Sequence, residues 1–346
     1  MSKPSKNIEY MDIAKAIGII LMVIGHSGSP LSRIIYLFHM PLFFFISGYF
    51  YKEHYTYNII ELIKKRIKTL YIPFVKYQLV FLFLHNIFYN INVYSNKFNT
   101  SARLYTVSDF IKNFINAITF GVTEELGSAF WFLVSLFTVN ILFAIIRFIV
   151  INIFKEKGEY VCAIVIGVCF VLGSKISLPR YIDTSLVALL IFYVGYLYNR
   201  YEEKISMNIY IASTSLIILI INSNIGEVSM GYNSYTSLSF FIVSFISGIY
   251  LTIYISKSIV KLNANLKLLK YIGENTLIIV GIHFIAFKLI SIIKINIYSL
   301  PDYMLASFPV INTGGYWWIL YSIIGIFIPI LVAYLWDNIG MILKKE

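Results

Sequence analysis

The chain has 346 residues, of which 59% are hydrophobic, 17% aromatic and only 13% charged, with a mean hydropathy of +0.78. That composition excludes a soluble domain, and it assigns the formal net charge of +11 to membrane topology and anionic lipid, with no role for nucleic acid. The expected fold is all-α: a polytopic membrane helical bundle.

Apolar runs long enough to cross a hydrocarbon core of roughly 30 Å recur near 9–28, 34–51, 70–91, 128–150, 160–174, 183–199, 207–223, 236–256, 274–297 and 316–339. They predict about ten transmembrane helices. The first run carries three ionisable residues, Asp12, Lys15 and His26. Eleven helical steps return Lys15 and His26 to within about 20° of one face, about 16 Å apart along the axis, with Asp12 one turn before Lys15. Ionisable groups inside spans default to functional candidates. The structural alternative has Lys15 snorkelling, Asp12 neutralising it and His26 sitting at the far interface. In the second run His39 stands two residues before Pro41, where the missing amide and the crowded Leu37 carbonyl predict a kink.

The third run is approached through the basic stretch "KKRIKTLYIPF", which supplies Lys65, Arg66 and Lys68. Phe110 to Val122 is too short to cross and reads as interfacial or re-entrant. Glu124 and Glu125 precede the fourth run; if helical they point about 100° apart, so one at most faces a site. Either orients a histidine or binds hydroxyls, or both lie on a solvated loop end. Trp131 reads as a sugar-stacking ring or a belt residue. Lys76, Arg147 and Lys288 lie near span ends and are expected to snorkel. Cys162 and Cys169 share one helix about 10 Å apart, too far for a disulfide. Glu274, Asn275 and Thr276 read as a capped helix start, and His283 follows near mid-membrane as a core or a pocket residue. No metal site is expected.

Lys and Arg fall mostly on one side when the N-terminus is placed inside. Lys3, Lys6, Lys52, Lys64, Lys65, Arg66, Lys68, Lys155, Lys157, Arg200, Lys204, Lys257, Lys261, Lys267, Lys270, Lys344 and Lys345 then lie inside, against seven outside. Both termini are therefore expected to be cytoplasmic. The first run lacks a cleavage site and reads as a retained span. The connectors Asn92 to Asp109 and Ser299 to Gly315 are expected outside, where they could cover a site. No appended soluble domain is expected, so residues 1–346 read as a single integral membrane domain.

The spaced Lys15 and His26, followed in order by "FHMPLFFFISGYF", "KKRIKTLYIPF", "FWFLVSLF" and "YIGENTLIIVGIHFI", make the chain resemble the acyltransferase 3 family of integral membrane acyltransferases. Within it, the chain is similar to the fucose 4-O-acetylase-like branch. Lys15 stands where many members have Arg, which keeps the charge and loses the planar fork. The resemblance implies an O-acetyltransferase that holds no permanent cofactor, with acetyl-coenzyme A as donor. The implied acceptor is a hydroxyl of a cell-surface polysaccharide or its lipid-linked sugar precursor.

Histidine suits the base this reaction needs, and His26 is the expected one, with Lys15, Asp12 and His39 as its companions. Lys15, Lys65, Arg66 and Lys68 are the expected donor-phosphate group. Glu124, Glu125, Trp131 and His283 are the expected acceptor-side residues. A glycan exporter is the alternative, although it would show related halves and paired broken helices. The low-charge, Ile-, Asn-, Lys- and Tyr-rich composition fits an AT-rich bacterial genome, and the expected location is the cell membrane.

Overall fold

The computed structural model describes residues 6–262, 266–312 and 314–342; Lys3, Lys344 and Lys345 of the expected inside set lie outside them. The described chain is helical, with a single two-stranded antiparallel hairpin, β1 (Val228–Ser229) and β2 (Ser234–Tyr235). In chain order the helices are α1 (Lys6–His26), α2 (Ser32–Tyr36), α3 (His39–Tyr49), α4 (Ile59–Arg66), α5 (Ile72–Asn90), α6 (Val107–Ile118) and α7 (Trp131–Phe154). They continue as α8 (Gly158–Gly173), α9 (Ile182–Tyr201), α10 (Ile209–Ile225), α11 (Leu238–Lys261), α12 (Lys267–Glu274), α13 (Thr276–Tyr298) and α14 (Trp317–Ile342).

Six segments among the described residues are long and apolar enough to span a membrane: Ile59–Asn90, Glu125–Gly173, Pro179–Lys204, Leu238–Lys261, Thr276–Tyr298 and Trp317–Ile339. Glu125–Gly173 contains two helices, because a 3-10 turn at Lys155–Lys157 reverses the chain between α7 and α8. Ile209–Ile225 is apolar but shorter. α1 is not among the six, since Glu9, Asp12 and Lys15 crowd its first half.

Contacts sort the chain into two compact units. The first comprises Met1–Gly18, Arg33–Phe74 and Trp131–Ala264, and the second Ile19–Ser32, Val75–Phe130 and Asn265–Glu346.

In the first unit the expected second span is not one kinked helix. The chain breaks at Leu37 and Phe38, α3 begins at His39, and Pro41 falls in its first turn, where no intrahelical donor is missed. α3 packs closely on α9 through two glycines. A Cβ on Gly48 would overlap the Phe192 carbonyl oxygen, and one on Gly195 would overlap that of Phe45. Small residues at such crossings let membrane helices meet backbone to backbone. Between α4 and α5 the basic stretch runs into a π turn, Ile67–Tyr71, two residues before Pro73.

Arg147 corrects the snorkelling expectation. Its side chain is 1% exposed, paired through both terminal nitrogens with Glu159 at 3.0 Å and through Nη2 with Glu53 at 2.8 Å. Its guanidinium lies 4.5 Å from the Tyr196 ring centroid, and the Tyr196 hydroxyl donates to Glu53 at 2.7 Å. One cation thus joins α7, α8, α9 and the turn after α3. A planar fork with two carboxylates is a geometry that lysine cannot reproduce. Arg147→Met is expected to cost about 2 kcal/mol, below the ~3–5 of a fully buried pair because both glutamates are partly exposed. A thermal unfolding series in detergent, with Arg147→Lys intermediate, checks this.

In the second unit α6 replaces the expected stretch at Phe110 to Val122. Thr106 and Asp109 close its start as a capping box. Val107, Ile111, Phe114, Ile115 and Ile118 are all exposed and fall within an arc of about 100°, while Asp109, Lys112 and Asn116 lie opposite. This is the pattern of a helix lying in the plane of a membrane interface.

The main-chain amide and the hydroxyl of Thr106, with Arg103 beyond them, hold the Asp109 carboxyl at about 2. The cap is therefore fully present above the ordinary aspartate range near 4 and is lost only as pH falls through about 2. Nitroxide labels at Ile111→Cys and Ile115→Cys, in a Cys162→Ala/Cys169→Ala background, are expected to be open to oxygen and shielded from a nickel chelate. A label at Lys112→Cys should show the reverse; water access at all three would overturn the in-plane placement.

Candidate functional site

α1 ends at His26, followed by a turn that needs Gly28 at φ +77. The Ser27 hydroxyl donates to Ile24 O at 2.8 Å and lies 3.0 Å from that of Ser322 on α14. Gly325 of α14 has no side chain between it and Val23 of α1 and Phe287 of α13. These contacts bring the end of α1 against α13, where His283 is wholly buried.

The two imidazoles meet: His26 Nδ1 is 3.0 Å from His283 Nε2, with the rings 18° from parallel. His283 Nδ1 lies 2.9 Å from Ile279 O. A carbonyl only accepts, so Nδ1 of His283 carries the proton and the neutral ring offers its lone pair at Nε2. His26 Nδ1 must then donate, which leaves the His26 lone pair on Nε2. This tautomer is assigned from the hydrogen-bond pattern. Phe284 flanks His26, with ring centroids 5.1 Å apart.

Such an arrangement is chemically capable of general-base work. When Nε2 of the half-buried His26 takes a proton, the imidazolium already has a fixed acceptor for its other N–H. His283 holds the place relative to His26 that an orienting carboxylate holds in a catalytic triad, without adding a charge.

The other predicted residues are distributed differently. Lys15 Nζ pairs with Asp12 at 2.8 Å and lies 5.0 Å from the Phe50 ring centroid; both partners are partly exposed. His39 is buried, its Nδ1 donating to Ile35 O at 2.9 Å, so it closes the break between α2 and α3. Lys65 and Lys68 are exposed, and Lys65 donates to Tyr55 Oη at 3.0 Å. Arg66 turns inward beside Tyr55 and Tyr51, its Nε buried without a partner. Trp131 packs between Tyr181 and Gly231.

Lys76 is exposed, as snorkelling requires. Lys288 is not: it is 5% exposed and donates to Leu305 O and Ser307 O, both at 2.9 Å. The amide of Asn275 donates back to Tyr271 O of α12 and makes no cap on α13.

Glu124 and Glu125 diverge. Glu124 is buried and its Oε2 lies 2.8 Å from Nδ1 of His85, whose Nε2 is 2.9 Å from Arg103 O. Tyr105 stacks on the His85 ring at 3.4 Å. Burial first, and then the Glu124 charge, push the phenols of Tyr94 and Tyr105 well above their ordinary range. This cluster pins the connector between α5 and α6. His85 escaped the sequence reading, although the rule that marked His283, an ionisable residue in an apolar run, applies to it equally.

Among the described residues no group of three or more His, Cys, Asp or Glu is arranged to hold a metal. No curated protein and no solved structure matches the chain. One family model does, the acyltransferase domain Acyl_transf_3, over residues 8–336. With that match across nearly all of a bundle of apolar helices, the chain belongs to the Acyl_transf_3 family and is a multi-pass membrane acyltransferase.

Proposed function

We propose that the protein is an O-acetyltransferase that moves an acetyl group from acetyl-coenzyme A to a hydroxyl of a cell-surface polysaccharide or of its lipid-linked sugar precursor. The observation that supports this reading is the His26–His283 pair, which fixes the His26 tautomer with its lone pair on Nε2. His26 Nε2 takes the hydroxyl proton as oxygen attacks the thioester carbonyl, the C–S bond breaks, and the proton passes to the leaving thiolate. No net proton is consumed. Lys15 and the exposed Lys65 and Lys68, with Arg66 behind them, supply cationic groups for the donor's phosphates.

The reading places about ten spans in a bacterial cell membrane with both termini in the cytoplasm, and the chain in the fucose 4-O-acetylase-like branch. Proton NMR of the surface polysaccharide tests it. A strain lacking the gene should lose O-acetyl signals, and wild type should restore them. A polymer that keeps its acetyl groups but falls in surface amount would favour export instead.

A further inference from the structure

The connector that follows α13 turns back into the protein. Pro301, Asp302 and Tyr303 are exposed, Leu305, Ala306, Val310 and Ile311 are buried, and Asn312 is exposed again. Two lysines of α13 hold the buried part. Lys288, 5% exposed, donates to the carbonyls of Leu305 and Ser307, both at 2.9 Å, and Lys294, 1% exposed, donates to that of Ile311. Among the described residues no carboxylate oxygen lies within 4 Å of either ammonium. Both buried charges are met by main-chain oxygens and by aromatic rings, Phe308 for Lys288, and Trp317 and Tyr321 for Lys294.

Helix geometry gives the depth of these bonds. Lys288 stands near the midpoint of α13 (Thr276–Tyr298), about 15 Å from its end in a span that crosses roughly 30 Å. Side chains on a helix lean toward its N-terminus, so the lysine stem does not recover that depth. Lys294 stands about 9 Å nearer the same end. The deeper lysine takes the earlier carbonyls and the shallower one the later, as a loop that dips to mid-membrane and climbs out requires. Irregular backbone at that depth needs its carbonyls satisfied from within the protein. An ammonium, with three N–H groups, can satisfy two at once, where an apolar side chain would leave both unpaired.

The same stretch lies beside the base. Phe308 packs on Phe284 with ring centroids 4.6 Å apart, and Phe284 packs on His26 at 5.1 Å. Val310 lies against Gly28, two residues after His26, with 3.3 Å between its Cγ2 and the place of a Cβ.

Resting on the acetyl-transfer reading above, we infer that residues 305–311 form a re-entrant wall beside His26, and that Lys288 and Lys294 are positioning residues that hold it closed against water. A base that takes a proton from a sugar hydroxyl takes one equally well from water. Attack by water then breaks the same C–S bond and gives acetate and free thiol in place of the sugar ester and free thiol. Transfer prevails only where water is kept from the base.

The test uses the full-length protein in lipid nanodiscs. In a Cys162→Ala/Cys169→Ala background a sulfonated maleimide probes water access. Ser307→Cys is expected to label at least tenfold more slowly than Asp302→Cys, and adding Lys288→Met should remove most of that difference. Turnover is read as thiol release from acetyl-coenzyme A, with and without de-O-acetylated surface polysaccharide. Lys288→Met and Lys294→Met should each raise the ratio of acceptor-independent to acceptor-dependent release at least fivefold. Loss of folded protein alone would lower both rates together and leave the ratio unchanged. Lys288→Arg, which keeps a cation with several N–H donors, should recover part of the ratio.

Equal labelling of Ser307→Cys and Asp302→Cys would overturn the re-entrant wall, and so would a ratio that holds in both methionine variants. Protection of Ser307→Cys that Lys288→Met abolishes, in a wild type that never releases thiol from acetyl-coenzyme A, would uphold the lysine-held wall and overturn the donor.

Discussion

His26→Ala is expected to reach the membrane at wild-type abundance and to lose acetyl transfer by about 10²–10⁴-fold, the usual contribution of a positioned general base. The fold should tolerate the change, because His26 is half-buried at the end of α1 and the turn behind it is held by Ser27, Gly28 and Ser322. His283→Ala should fall less far: it leaves the base in place and removes only the acceptor that fixes its tautomer. His283→Gln, which keeps an acceptor oxygen at that depth, should recover part of the loss. The measurement is single-turnover thiol release at matched protein, and equal rates for His26→Ala and wild type would remove His26 from the chemistry.

The second large effect belongs to the fold. Gly48→Ala or Gly195→Ala places a methyl group on a main-chain carbonyl of the facing helix, where no side chain can rotate aside. Overpacking of a tight core typically costs about 1–3 kcal/mol, and a backbone obstacle belongs at or above the upper end. The apparent Tm in detergent should drop by roughly 4 °C or more for either substitution. The double variant should be no worse than additive, since both methyls push the same two helices apart. Gly167→Ala, where a Cβ meets nothing within 4 Å, is the control and should leave the Tm unchanged or slightly raised.

The membrane class and most helix positions were legible in the sequence; His26 and His283 could each be picked out as candidates, but their contact could not. Hydropathy needs no tertiary knowledge, and an ionisable residue in an apolar run is conspicuous. What was not legible depends on partners distant in the chain. Arg147 and Lys288 looked alike as cations near span ends, and both turn inward: Arg147 meets Glu53 and Glu159, and Lys288 meets the carbonyls of the connector that follows its own helix. The break before His39 was misplaced because proline at 41 suggested a kink, while the chain unwinds two residues earlier and lets His39 bridge the gap. Adjacent Glu124 and Glu125 could not be told apart until His85 claimed the first.

The Arg147 hub has a consequence for how the chain is made. Glu53 is synthesised 94 residues before Arg147, whereas Glu159 follows it by only 12. A guanidinium entering lipid alone is costly, so α7 is poorly suited to leave the translocon as a single helix. Inserting α7 and α8 together as a hairpin lets Glu159 neutralise Arg147 before the earlier segment carrying Glu53 docks. Biogenesis of this protein would then proceed by a paired insertion step, with the nearer carboxylate acting as a travelling counter-ion.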